Sequence, residues 1–140
     1  MTTAIDTNVI IALWDREISV RTRAQAALDL ALDSGSLVVA APVFAELMAA
    51  PGRNEKFLES FFADTGIAID WMLDEAVWRA AGEAFRTYAS RRRKQGDLGP
   101  RRILADFVIG AHAFISGYLL LTFDTKLYSA AFPGLRLAPL

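Results

Sequence analysis

Residues 104–124 read LADFVIGAHAFISGYLLLTFD, and the reading of this stretch decides the fold class. Phe107, Val108, Ile109 and Phe114 form a helical pattern from about Leu104 to Ser116, Gly117 follows, and Tyr118 to Thr122 is a short β-favouring run without polar alternation. A helix leading into a strand that is apolar on both faces is the repeating unit of a parallel sheet covered on both sides. The same alternation extends outward. Thr3 to Ile5, Leu37 to Ala41, Ile67 to Ile69 and a weaker Leu135 to Leu137 have the length of buried strands. Between them, Ala24, Ala27, Leu28 and Ala31 lie at i, i+3, i+4 and i+7, Phe57, Leu58, Phe61 and Phe62 mark a helix from about Asn54 to Ala63, and Val77, Ala81, Ala84, Phe85 and Tyr88 form a stripe opening at Asp74 and Glu75. The spacing predicts an α/β chain with a parallel sheet of four to five strands, in one domain over residues 1–140.

Composition narrows the chemistry. The 140 residues contain no cysteine and one histidine, His112, which excludes disulfides, thiolate metal sites and thiol nucleophiles and makes a hydroxyl–imidazole mechanism hang on a single ring. A cytoplasmic setting follows as the expectation, with no targeting signal and no membrane span, because the apolar runs break within about ten residues where a span needs roughly 20. Carboxylates, hydroxyls and basic groups are left to do any chemistry.

In open α/β sheets ligands bind beyond the carboxyl ends of the strands, and those positions hold one acid after another. Asp6 follows the first strand, Glu46 lies a helical turn past the second, Asp124 follows Thr122, and Asp106 opens the helix of residues 104–116. Each acid has an ordinary structural alternative: a turn and N-cap for Asp6, a first-turn acid for Asp106, a cap for Asp124, a solvated face for Glu46. Convergence on one end of a sheet favours a joint role. Two carboxylates 4 to 5 Å apart repel by roughly 3 to 4 kcal/mol at an effective dielectric near 20, so a cluster of three or four requires protons or a cation. With no histidine or cysteine ligands beside it, an all-oxygen site favours Mg²⁺ or Mn²⁺.

The segments IDTNVIIAL (5–13), PVFAEL (42–47), ADFVIGAHA (105–113) and LLLTFD (119–124), with the closing FPGLRL (132–137), together resemble the PIN domain, most closely the VapC-type toxin ribonucleases, in order and spacing from one end of the chain to the other. The resemblance implies a three-layer α/β/α sandwich, a Mg²⁺-dependent endoribonuclease leaving 5′-phosphate and 3′-hydroxyl ends, and a cognate antitoxin that blocks the site. It assigns Asp6, Glu46, Asp106 and Asp124 to the family's acidic quartet, and Asn8 and Thr122 to supporting polar positions. On this reading Asp6, Asp106 and Asp124 hold the metal, Glu46 completes the ligand set or orients the attacking water, and Thr7, Asn8 and Thr122 position the acids. The chain departs from the pattern in a short first strand beginning Thr-Thr and in Gly110, which stands where alanine is common and leaves more room on the helix face below Asp106. His112, six residues past Asp106 and about 240° round the helix, is expected to point away from the acids as a packing or surface residue.

The net charge of −1 conceals an asymmetry. Residues 91–102, RRRKQGDLGPRR, carry six basic groups and one acid, leaving a net −6 elsewhere. The alternative to a ligand role is a helix end whose cations complement the dipole. Because the run leads into Asp106, Arg91, Arg92, Arg93, Lys94, Arg101 and Arg102 are the candidate RNA phosphate contacts, with Gly96, Gly99 and Pro100 allowing the arm to adjust. Recognition of a single-stranded or looped RNA region would then fit this arm. The apolar share of 54% exceeds what a small solitary core needs, so part of the set Trp14, Phe57, Leu58, Phe61, Phe62 and Trp71 is expected to line a homodimer interface and a groove for an antitoxin helix. Two other readings remain: a non-catalytic PIN-like module binding RNA or protein, and a phosphohydrolase of small esters, which the missing Asp-x-Asp pair after the first strand disfavours.

Overall fold

The computed structural model describes residues 1–96 and 101–140. Four strands, β1 (Thr3–Ile5), β2 (Leu37–Ala40), β3 (Ala68–Asp70) and β4 (Leu119–Leu121), form one sheet in the order β3-β2-β1-β4. Every pairing is parallel, with Ala4 beside Val38 on one side and beside Leu120 on the other. The absence of polar alternation in β1 and β2 has the expected cause: each of their residues is buried. Helices flank the sheet as a three-layer α/β/α arrangement requires: α1 (Thr7–Leu13), α2 (Ile18–Ser34), α3 (Ala41–Leu47), α4 (Glu55–Thr65), α5 (Glu75–Lys94), α6 (Leu104–Ser116) and α7 (Thr125–Ala131).

Local chemistry sets the element ends. Asn54 accepts a hydrogen bond from the Phe57 amide at 2.8 Å and caps α4, Pro42 stands in the first turn of α3, and Gly117 adopts a left-handed φ of 73° that closes α6 and turns the chain into β4. The weak strand expected at Leu135–Leu137 contracts to one bridge, Leu120 to Leu137. The third strand also shifts, to Ala68–Asp70, with Ile67 buried just before it.

The topology places the site. The chain steps from β1 out to β2 and β3 and then returns to lay β4 on the other side of β1, so the segments leaving β1 and β4 diverge and open a crevice at their carboxyl ends. Asp6 and Asp124 stand at that crevice. Among the described residues, no helix is long and apolar enough to cross a membrane.

His112 points away from the crevice and packs, as expected, but it also has a partner. Its ring is 1% exposed, its Nε2 lies 2.9 Å from Asp70 Oδ2 at the end of β3, and Tyr118 meets it edge-on. The apolar set divides: Leu58 and Phe62 are buried, Trp14 and Phe61 are half-buried, Phe57 and Trp71 are exposed, Trp14 meets Phe57 and Phe61 edge-on at 5.5 Å, and the Arg53 guanidinium lies over Trp14 and Phe57. Trp71, Met72 and Trp78 remain exposed.

Candidate active site

Asp6, Thr7, Asn8, Ile11, Glu46, Arg102, Asp106 and Asp124 line one cleft of about 410 Å³. All four acids singled out in the sequence therefore meet at one place, and each keeps part of its ordinary structural role. Asp6 is the N-cap residue of α1 but its side chain makes no capping bond, which frees the carboxylate for the cleft. Asp106 accepts from the Ile103 amide at 3.3 Å, and Asp124 accepts from the Leu127 amide at 3.4 Å at the start of α7.

Hydroxyls and an amide orient the acids. Thr122, 1% exposed, donates to Asp6 Oδ2 at 2.7 Å and accepts from the Asp124 amide at 2.9 Å and from Asn8 Nδ2 at 3.4 Å. Asn8 Oδ1 in turn accepts from the Phe123 amide at 3.2 Å, so the first turn of α1 is tied to the chain leaving β4. Thr7 donates to Glu46 Oε1 at 2.6 Å, which holds that carboxylate at the cleft wall although its neighbours on α3 are apolar. Asp124 pairs with Arg102, both side chains about three-quarters buried.

The electrostatics are strained in one direction. Burial, reinforced by the negative charge of Asp106, pushes the Asp6 carboxyl up to about 6, against the opposing hydrogen bond from Thr122. Burial likewise raises Asp106, opposed by the Ile103 amide and the Arg102 guanidinium and reinforced by Asp124. Arg102 is thus the one side-chain cation lining the cleft among the described residues. No three His, Cys, Asp or Glu side chains among the described residues close on a common point as a ready-made cation site, because Glu46 is turned to Thr7 and Asp124 to Arg102.

The PIN-domain family model matches residues 3–133. The chain belongs to the PIN-domain family. No curated protein matches it by sequence. Among solved structures, this PIN domain is similar in fold to a chain of VapBC2 from Rickettsia felis bound to a DNA fragment from their promoter, at 18% identity and a TM-score of 0.68, with 98% of this chain and 97% of that one covered. VapBC-1 from nontypeable Haemophilus influenzae gives 23% identity and a TM-score of 0.63 over 98% and 96% of the chains. A toxin–antitoxin complex from Klebsiella pneumoniae gives 20% and 0.59 over 95% and 94%.

Two features of this PIN domain escaped the sequence reading. Arg102, read there as a phosphate contact, is engaged with an acid of the cleft; it also lines a larger groove of about 500 Å³ with Tyr88, Arg91, Lys126 and Phe114, so cleft and groove share it as a wall. Tyr128, one turn into α7 from Asp124, is 1% exposed and its hydroxyl interacts with Asp6 without reaching hydrogen-bond geometry. Its spacing of four from Asp124 was the available signal. Arg91, Arg92, Arg93 and Lys94 form the last turn of α5, and Gly96 has a left-handed φ of 70°. Gly99 and Pro100 lie outside the described residues.

Proposed function

We propose that this PIN domain is the toxin of a type II toxin–antitoxin pair and acts as a Mg²⁺-dependent endoribonuclease. The observation that carries the reading is the gathering of Asp6, Glu46, Asp106 and Asp124 from four segments into one cleft with a single cationic side chain among its described lining. The donor set fits a hard divalent cation. It is all oxygen, and a Mg²⁺ ion is commonly held by one or two carboxylates, its remaining positions going to water and substrate phosphate. Asp6 and Asp106 would hold the ion, with Asp124 joining when it leaves Arg102; Mn²⁺ could substitute. When bound, the ion supplies a water of lowered pKa and neutralises charge on the phosphate oxygens during in-line attack.

The chain's own residues do the remainder. Glu46, braced by Thr7, is placed to orient the attacking water or to take its proton at a carboxylate oxygen. Thr122 and Asn8 keep Asp6 and the start of α7 in register. Arg102, displaced from Asp124, would join Arg91 and Lys126 beside the groove to hold the RNA backbone, with Arg92, Arg93, Lys94 and Arg101 extending the basic surface. The fold likeness to chains of toxin–antitoxin complexes supports a cognate antitoxin as the partner that closes the cleft. The exposed Trp71, Met72 and Trp78 support a homodimer.

Purified protein should cut single-stranded RNA with Mg²⁺, stop in EDTA, and be inactive as Asp106→Asn. Cleavage by Asp106→Asn at the native rate, or cleavage undiminished in EDTA, would reject the reading. The basic surface is tested separately by binding. Replacing Arg91, Arg92, Arg93 and Lys94 with glutamine should weaken RNA binding and reduce the steepness of its dependence on log salt by up to about 3, at about 0.7 per phosphate contact on single strands. An unaltered slope would return the run to a solvated helix end.

A further inference from the structure

Gly110 and Tyr128 meet beneath the acid cleft. Asp106 and Gly110 lie at i and i+4 on one face of α6, so whatever packs on Gly110 sits directly below Asp106. The room expected there is filled: a Cβ at position 110 would lie 2.5 Å from Phe132 Cε2, 2.8 Å from Phe132 Cδ2 and 2.9 Å from Tyr128 Cδ1. Only a residue without a side chain lets Tyr128 of α7 and Phe132 just after it press their rings this close to α6.

What that approach brings inward is a hydroxyl. Tyr128 is 1% exposed, and its oxygen meets no partner in full hydrogen-bond geometry among the described residues; Asp6 is the side chain it interacts with, and after burial itself the charges of Asp6, Asp106 and Asp124 raise its pKa. A buried hydroxyl held short of a full hydrogen bond is costly, and a phenylalanine would fill the same space without that cost. Asp6 already receives Thr122 at 2.7 Å, so a second side-chain donor would fix the carboxylate on two sides. Donors of this kind orient ligating carboxylates and are commonly worth 10- to 100-fold in metal affinity.

We propose that Tyr128 is a positioning residue whose hydroxyl, carried under Asp106 by the close packing of α7 on Gly110, donates to Asp6 and aligns that carboxylate for a divalent cation. Hydrogen bonds of an unliganded site commonly tighten on binding, and Asp6 in a ligating orientation would accept from the Tyr128 hydroxyl in full geometry. The proposal rests on the metal reading given above. It differs from a packing role in the direction of its effects, since packing is kept by phenylalanine and the donor is not.

The test measures Mn²⁺ binding to the wild type, Tyr128→Phe and Asp106→Asn by calorimetry, and the melting temperature of each in EDTA. Tyr128→Phe should bind Mn²⁺ about tenfold more weakly while melting in EDTA at or above the wild-type temperature. Wild-type affinity in Tyr128→Phe, beside a clear loss in Asp106→Asn, would overturn the positioning role and leave the metal reading standing. A drop in the EDTA melting temperature without a change in Mn²⁺ affinity would likewise overturn it, assigning the hydroxyl to the fold alone. Mn²⁺ binding no stronger in the wild type than in Asp106→Asn would overturn the metal reading and this inference with it.

Discussion

Asp6→Asn should abolish RNA cleavage, by on the order of 10³-fold or more, and at the same time stabilise the metal-free protein at neutral pH. Both effects have one origin. The carboxyl of Asp6 is 5% exposed and pushed up to about 6 from an ordinary value of 3.8, first by burial and then by Asp106. The folded state therefore binds this proton more tightly than the unfolded chain. Its contribution to stability is complete below about pH 4 and disappears as the pH rises through 6. A shift of about two units corresponds to ~3 kcal/mol at the order-of-magnitude level. Asparagine still accepts from Thr122 and carries no charge, so it removes that loss. In EDTA the wild-type melting temperature should fall from pH 4 to pH 7, and that of Asp6→Asn should fall much less. Saturating Mg²⁺ should raise the wild type alone, because only the carboxylate gains from the ion. An Asp6→Asn variant that melts below the wild type at pH 7 in EDTA would show that Thr122 and the Thr7 amide already compensate the buried charge.

The same site shows what the chain reveals locally and what it does not. β1, β2 and α6 were legible because burial on both faces of the strands leaves an unbroken apolar run, and a helix stripe repeats within a window of a dozen residues. The four acids were legible because their positions follow from where strands end. The partners of those acids were not. Arg102 reads as one more cation in a basic run, and only the tertiary fold pairs it with Asp124, 22 positions away. Gly110 reads as spare room, and only the angle of α7 shows that the room belongs to Tyr128 and Phe132. Local periodicity carries information about which face of an element is buried; which side chain arrives from another element depends on packing angles that no single segment encodes. The marginal edge strand at Leu135–Leu137 belongs to the same class, since only its approach to β4 shows that the run pairs through the single bridge from Leu120 to Leu137.

His112→Ala should cost about 2–4 kcal/mol of stability and leave Mn²⁺ binding at its wild-type value. In a chain with one histidine, that residue attracts a catalytic assignment, and its surroundings argue otherwise. The ring is 1% exposed in the middle of α6, on the side away from Asp106, and its Nε2 faces Asp70 Oδ2 at 2.9 Å at the far edge strand β3. With a carboxylate accepting at Nε2, that nitrogen carries the hydrogen, and Nδ1 is left buried without a partner. Packing and the hydrogen bond can be separated, because the Asp70 side chain is 38% exposed and water can replace the imidazole there. His112→Phe keeps most of the volume and the edge-on contact with Tyr118, whose ring centroid is 5.7 Å away, so it should recover most of the stability that alanine loses. If the phenylalanine variant is as unstable as the alanine variant, the bond to Asp70 holds α6 against the sheet edge, not the packing. If either variant folds but loses Mn²⁺ binding, the histidine acts on the acid cleft through α6, and its separation from the chemistry is wrong.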